Sequence, residues 1–282
     1  MEIRFDRLAS LYVVFPYLRL IAGAESSIPI LMYHSVTDKQ DIEVHPYYRT
    51  VTSPRMFASQ LEYLHTKGYK TCTLTQAVQR VQKSETTANL VVITFDDGYR
   101  DFYLHAFPVL NRYGFDATVF LPTSFIGEVP LSFKGKECIT WNEARELSRQ
   151  GVQFGSHTVN HPQLRDLSLT AVNEEIERSK RTIEDKLGRA VVSFAYPFAF
   201  PQTDREFMKF LRDSLERVGY ENGVCTMVGR ANRHSEPYFL QRLPVNSCDD
   251  LQLFRAKLAG AYDWVARPQS LAKMAKSLGV GL

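Results

Sequence analysis

An α/β protein whose parallel strands close into a barrel is the fold this sequence predicts, and three observations carry that expectation. Apolar runs of strand length alternate with amphipathic stretches of helix length about seven times along the chain, the pattern of parallel βα units. No glycine-rich phosphate loop follows any of those runs, which weighs against an open nucleotide-binding sheet. With 282 residues, 44% apolar and 23% charged, the chain can bury one large α/β domain, and disorder, collagen-like repeats and low complexity are excluded.

The elements follow in order. Ile28 to Tyr33 is the first buried-strand run. Ser53 and Pro54 read as the N-cap and first residue of a helix with core face Phe57, Leu61 and Leu64, ended by Gly68. Leu90 to Phe95 is the clearest strand, its β-branched residues suited to a sheet buried on both faces. A helical stretch from about Phe102 to Tyr113, stopped by Gly114, leads to the strand Ala117 to Leu121. Thr140 and Glu143 form a capping-box pair opening a helix to Arg149, and Gln153 to Ser156 is strand again. Ser168 starts the longest helix, with a buried stripe of Leu169, Val172, Ile176, Ile183 and Leu187 and a stop at Gly188. Val191 to Ala195 is strand, Asp204 to Val218 helix ended by Gly219, and Gly223 to Met227 strand. Leu240 to Val245 is a short extended piece, and a helix from Asp250 to Ala259 precedes a mixed C-terminal tail.

A net charge of +3 is too balanced for a protein that lives on phosphate backbones, so no nucleic-acid partner is expected. Cys72, Cys138, Cys225 and Cys248 form no C-x-x-C pair, and four free thiols favour a reducing compartment. Residues 1–27 read as an N-terminal amphipathic segment and 28–282 as the barrel domain with its helical tail. The run Leu8 to Leu18 is too short to span a membrane. It imitates a secretory signal with Ala22-Gly23-Ala24 as the cleavage site, but Asp6 and Arg19 spoil that pattern. A retained segment packed on the domain's own body is the expectation, with peripheral membrane contact through Tyr12, Phe15, Tyr17 and Leu20 beside it. That places the protein in the cytoplasm, membrane-associated; a cleaved leader would make it periplasmic or secreted.

Three strand ends carry residues out of character with their surroundings. The strand ending at Phe95 runs into Asp96-Asp97-Gly98. Adjacent carboxylates are costly unless something positive lies beside them, so one can be a metal ligand and the other a base; a polar turn is the plain alternative. The strand ending at Ser156 runs into His157-Thr158-Val159-Asn160-His161, two histidines that share one face if the backbone coils helically. One Asp and two His make an open three-ligand set for a divalent ion. The first strand ends in Tyr33-His34, where an imidazole can serve as proton donor or as a satisfied core histidine.

Thr94-Phe95-Asp96-Asp97-Gly98 and His157-Thr158-Val159-Asn160-His161, in that order and at those strand ends, resemble the first two motifs of the polysaccharide deacetylases, the NodB-homology or carbohydrate esterase family 4 enzymes. The resemblance covers roughly Ile28 to Val245. It implies a distorted (β/α)7 barrel that removes N-acetyl groups from amino-sugar polymers with a divalent ion, Zn2+ first among them. It implies Asp97, His157 and His161 as metal ligands and Asp96 as general base. Ala195-Tyr196-Pro197-Phe198 stands where the family has Arg-x-Pro-Tyr/Phe, so the arginine that pairs with the base is missing. Tyr196, Pro197 and Phe198 still offer a backbone amide for the oxyanion and an apolar wall. Arg242 is the candidate replacement cation, against the plain reading of a solvated arginine. The usual late Leu-x-His is absent too, with Leu243-Pro244-Val245 near its place. Leu31-Met32-Tyr33-His34 instead resembles the N-terminal strand of the circularly permuted poly-N-acetylglucosamine deacetylase branch, which makes His34 the candidate acid.

The expected function is thus a metal-dependent hydrolase that removes N-acetyl groups from an acetylated amino-sugar glycan, a polysaccharide or a glycan-assembly intermediate. The alternatives are a deacylase of the same mechanism acting on a formyl sugar or cyclic amide, and a catalytically silent glycan-binding relative. The loop His45-Pro46-Tyr47-Tyr48 has aromatics that could stack on sugars or simply pack. The oligomeric state is left open by these residues.

Overall fold

Seven strands close on one another in the computed structural model, which describes residues 4–20, 27–39, 41, 44–198 and 200–277. They are β1 (Ile30–Tyr33), β2 (Leu90–Phe95), β3 (Thr118–Leu121), β4 (Gln153–Ser156), β5 (Ser193–Ala195), β6 (Asn222–Val228) and β7 (Leu240–Pro244). Each pairs in parallel with the next in chain order, and β7 returns to β1 through Leu243 opposite Leu31. Lys70–Thr71 adds a short parallel strand outside β2. This is the (β/α)7 barrel the motifs implied, and the distortion is visible in it. The pairing of β6 with β7 shifts register between Val224 and Val228. Their connection carries a short strand, Ala231–Asn232, and a 3-10 turn, Pro237–Phe239, in place of an α-helix. The predicted first strand breaks at Pro29: Ser27–Ile28 pairs antiparallel with Ala231–Asn232, and only Ile30–Tyr33 enters the barrel.

The helices are α1 (Pro54–Thr66), α2 (Leu74–Gln82), α3 (Phe107–Tyr113), α4 (Trp141–Arg149), α5 (Leu169–Leu187), α6 (Arg205–Val218), α7 (Leu251–Leu258) and α8 (Ala266–Ser277). The predicted caps form: Ser53 accepts from the Met56 amide, and Thr140 with Glu143 makes a complete capping box. Helix α2 is an addition to the expectation. Its own capping box, Thr73 with Gln76, and its buried spacing Leu74, Ala77, Val78, Val81 were both present in the sequence. Before α3 the backbone opens into a π-turn over Phe102–Ala106, next to Pro108, which lacks an amide to donate. On α5, Val172, Ile176 and Ile183 are buried, but Leu169 in the first turn is exposed and Leu187 only half-buried, so the stripe is shorter than predicted.

Strand alternation sorts the core into two layers. Leu31, Tyr33, Val91, Ile93 and Phe95 face the outer helices, whereas Ile30, Val92, Phe120, Ala195, Val224 and Leu240 cluster with the buried face of α2. By the same parity Thr94, Asp96 and Arg242 share the inward face of β2 and β7.

The N-terminal segment, with helical turns Phe5–Ala9, Ser10–Val14 and Phe15–Leu20, docks through polar contacts and a half-buried apolar stripe of Leu11, Val14, Phe15 and Leu18, so Phe15 is not the outward membrane contact expected of it. Arg4 pairs with Asp249 at 3.2 Å and donates to the Cys248 carbonyl, Tyr262 donates its hydroxyl to Asp6 at 2.7 Å, and the Trp264 indole donates to Ser10 Oγ at 3.0 Å. Phe5, Tyr12, Val13 and Tyr17 face outward. Ala22-Gly23-Ala24 lies outside the described residues. Among the described residues no helix is long and apolar enough to cross a membrane.

Candidate active site

The inward face of β2 ends in a carboxylate, Asp96, buried to 2%. Arg242 reaches it from β7. Its two terminal nitrogens donate to Asp96 Oδ1 and Oδ2 at 2.7 Å each, Nη1 also reaches Thr94 Oγ1 at 3.2 Å, and Nε donates to the Cys225 carbonyl at 3.1 Å. This two-point fork is the strong geometry for a buried carboxylate. The arginine missing from the Ala195-Tyr196-Pro197-Phe198 stretch is therefore replaced from a different strand, and Arg242 is fully buried rather than solvated. Burial alone would raise the Asp96 pKa, but the Arg242 charge and hydrogen bonds, with His157 and His34 nearby, hold it below the ordinary carboxylate value.

At the end of β2 the chain turns sharply. Asp97 has φ +68° and Gly98 φ +59°, and a Cβ on Gly98 would stand 2.8 Å from Leu121 Cδ2. That turn brings Asp97 round to the end of β4, where His157 and His161 arrive. The histidines do not sit on a helical face, as their spacing suggested. They are joined by a loop with two left-handed residues, Thr158 at φ +70° and His161 at φ +54°, and their rings meet at 4.7 Å. Glu175 on α5 accepts from the Val159 and Asn160 amides and the Asn160 side chain, and Thr158 Oγ1 accepts from the His161 amide. Glu175 lay outside the sequence reading; only the spacing of α5 could have placed it against that loop.

His157 Nδ1 is paired with the Ala195 carbonyl at 2.8 Å, which leaves Nε2 turned to Asp97 Oδ1 at 3.6 Å; His161 Nε2 lies 3.2 Å from the same oxygen. All three residues are buried and their ligand atoms lie within 4.8 Å of one another. Asp97 Oδ1 makes no well-formed hydrogen bond although it is buried. A buried anionic oxygen facing two imidazole nitrogens, one of them oriented by a backbone carbonyl, fits a divalent cation. Burial pushes the His157 pKa down to about 4, so this imidazole is neutral near pH 7, as a ligand must be. For Asp97, burial is outweighed by the His161 imidazole 3.2 Å away and by the His34, His157 and Lys134 charges, which hold the carboxyl well below its usual range.

A cavity of about 400 Å³ opens over these groups, lined among others by His34, Phe198, Lys134, Tyr47 and Tyr48. His34 Nε2 stands 3.9 Å from Asp96 Oδ2. Burial lowers the His34 pKa against the pull of Asp96 and Asp97. The Tyr196–Phe198 stretch needs one correction. Pro197 has no N–H, and the Tyr196 amide is already donated to the Val224 carbonyl at 3.1 Å. The Tyr196 ring packs into a cluster with Phe194, Phe200 and Phe239. That leaves the Phe198 N–H as the amide available from this stretch, with φ +57° at Phe198 and its ring 4.7 Å from that of His161.

Comparison with known proteins agrees with the geometry. Residues 83–222 match the family model described as polysaccharide deacetylase. The chain is 31% identical over 222 residues to YxkH of Bacillus subtilis (strain 168), assigned to the polysaccharide deacetylases, covering 78% of this chain and 72% of that one. It is 22% identical over 239 residues to the poly-beta-1,6-N-acetyl-D-glucosamine N-deacetylase of Staphylococcus aureus (strain MSSA476), covering 79% and 80%. Among solved structures it superposes on the Streptococcus pyogenes deacetylase PplD in complex with acetate with a TM-score of 0.71 and 25% identity, over 83% of this chain and 99% of that one. With the seven-strand barrel, the Asp-His-His cluster and the buried aspartate beside it, this chain belongs to the polysaccharide deacetylase family.

Proposed function

We propose that the protein hydrolyses the N-acetyl group of an amino-sugar glycan, with Asp97, His157 and His161 holding a divalent ion and Asp96 acting as base. The observation that carries the reading is the two-point pairing of Asp96 with Arg242 beside that cluster. It keeps the base ionised, and it removes the reason for a catalytically silent relative. Two imidazoles and one carboxylate with an open position suit Zn2+ best. Such an ion supplies Lewis acidity to the amide carbonyl and acidifies water at neutral pH. Asp96 Oδ2 takes the proton of the attacking water. The Phe198 N–H donates to the carbonyl oxygen as charge develops there. His34, whose Nε2 stands 3.9 Å from Asp96 Oδ2, starts neutral, receives the proton through one intervening water, and gives it to the amide nitrogen as the C–N bond breaks. Acetic acid and the amine are formed, and the acid's remaining proton passes to the amine, so acetate and a glucosamine ammonium leave.

Acetate release from β-1,6-linked N-acetylglucosamine oligomers by the zinc-loaded protein tests the reading. Asp96→Asn should lose at least about 100-fold in kcat; a variant that keeps its rate would remove Asp96 as base. His34→Ala should lose about 100-fold in kcat with KM little changed, and an intact rate would remove His34 as acid. The outward Phe5, Tyr12, Val13 and Tyr17 support peripheral attachment to a membrane, and the free thiols of Cys72, Cys138, Cys225 and Cys248 support a reducing, cytoplasmic compartment. Co-sedimentation with anionic lipid vesicles should fall in Tyr12→Ser/Tyr17→Ser. N-terminal sequencing of the protein from cells that finds a start after Ala24 would reject the retained segment.

A further inference from the structure

Lys134 lines the cavity and acts above only through its charge on Asp97; Arg49, the other cation on the wall, is held by the Val44 carbonyl and Cys248 Sγ. The acidic groups lining it, Asp96 and Asp97, are committed to Arg242 and to the ligand cluster. Lys134 sits at the tip of a hairpin formed by Ser132–Phe133 and Lys136–Glu137. With φ +50° at Lys134 and +75° at Gly135, both central residues of the turn are left-handed, a backbone that suits Asn or Gly far better than Lys. A lysine held in that backbone conformation beside a site directs attention to its side chain. Beneath it, Phe133 packs 4.3 Å from Phe125 and 5.1 Å from the His161 ring, which holds the hairpin tip over the ligand cluster. Lys134 Nζ stands 3.6 Å from Asp97 Oδ2 and lies over the Phe133 and Phe198 rings at 4.6 and 5.3 Å, with 46% of the side chain exposed.

A fixed ammonium in that position opposes any cation held by Asp97, and it opposes the glucosamine ammonium that deacetylation creates. Besides Asp97, an arriving negative charge is what gains from it. We propose that Lys134 selects glycans that carry an anionic group, a carboxylate or a phosphate, on the sugar flanking the acetylated one. Neighbours already converted to ammonium are turned away, so the enzyme does not work along its own cationic product. The inference rests on the deacetylase reading and names its substrate class.

The test is a matched set of β-1,6-linked trisaccharides whose non-reducing neighbour carries N-acetyl, free ammonium, N-succinyl or 6-O-phosphate. The wild-type protein should favour an anionic neighbour over N-acetyl by about two- to fivefold in kcat/KM, and N-acetyl over ammonium by a similar factor, mainly through KM. The succinyl and phosphate arms tell which anion is preferred. In Lys134→Met, which keeps the apolar stem, these ratios should collapse toward one. An unchanged charge order in that variant, or an equal loss on every substrate, overturns the proposal. Calorimetric binding of the same trisaccharides to Asp96→Asn reads the charge order without turnover. Absence of acetate release from all of them would then count against the deacetylase reading alone.

Discussion

At Asp96 and Arg242 a charge pair is held with both members excluded from water. Such a pair is weak evidence for stability as a whole, yet removing one partner strands the other, which costs about 3–5 kcal/mol. Arg242→Met should therefore lower the free energy of unfolding by that amount in urea titration, while Asp96→Asn/Arg242→Met should recover most of it without recovering activity. A double variant no more stable than Arg242→Met would show that the pair is not coupled as drawn. Gly98 is a second single-residue constraint. Its φ of +59° disfavours any side chain, and a methyl group there overlaps Leu121. Gly98→Ala should cost about 1–2 kcal/mol from the backbone alone, read as a lower Tm, with acetate release falling further because Asp97 is carried on the same turn.

Among the elements, the N-terminal segment docks through both kinds of side chain. Leu11, Val14, Phe15 and Leu18 are half-buried beside the polar contacts of Arg4, Asp6 and Ser10, and the contact surface is α7 with the turns that follow it. Asp6 is central, because it accepts from both Arg4 and Tyr262. Burial would raise its pKa, but these two bonds and the Arg4 charge pull it from 3.8 down to about 2. A depressed acid contributes stability that is complete above its unfolded pKa and lost as pH falls through the folded one. Docking should hold at pH 5 and fail between pH 3.8 and about 2. Pepsin, active throughout that range, should cut between Leu8 and Phe15 only toward its lower end, and Asp6→Asn should be cut at both. Equal cleavage of the wild-type protein at pH 4 and pH 2 would contradict the docked arrangement.

For the molecule as a whole, the ligand cluster joins the ends of β2 and β4, with β3 between them, so an ion there ties strands that are not adjacent. A ligand bound only by the folded state stabilises it by about 2.7 kcal/mol at one hundred times its Kd. For a chain of this size that is about 4–5 °C in Tm. Zinc added to chelator-treated protein should raise Tm on that scale, and Asp97→Ala should abolish the shift. A wild-type Tm indifferent to zinc would mean that the cluster holds no ion. The sequence by itself determined what depends on chain neighbours: the strand runs, the Ser53 and Thr140 caps, and the motifs Asp96-Asp97-Gly98 and His157 to His161, each carried within a few residues of one strand end. It also carried α2, whose capping box and spacing went unread. Only the tertiary structure decided that Arg242, 146 residues from Asp96, is its partner, that Phe198 rather than Tyr196 keeps a free amide, and that Asp6 and Ser10 of the N-terminal segment meet Tyr262 and Trp264. The physical reason is closure. Which face of β7 points into the barrel, and which backbone amides a neighbouring strand consumes, are set by register across the ring, and register is a relation between distant segments that no local pattern of residues contains.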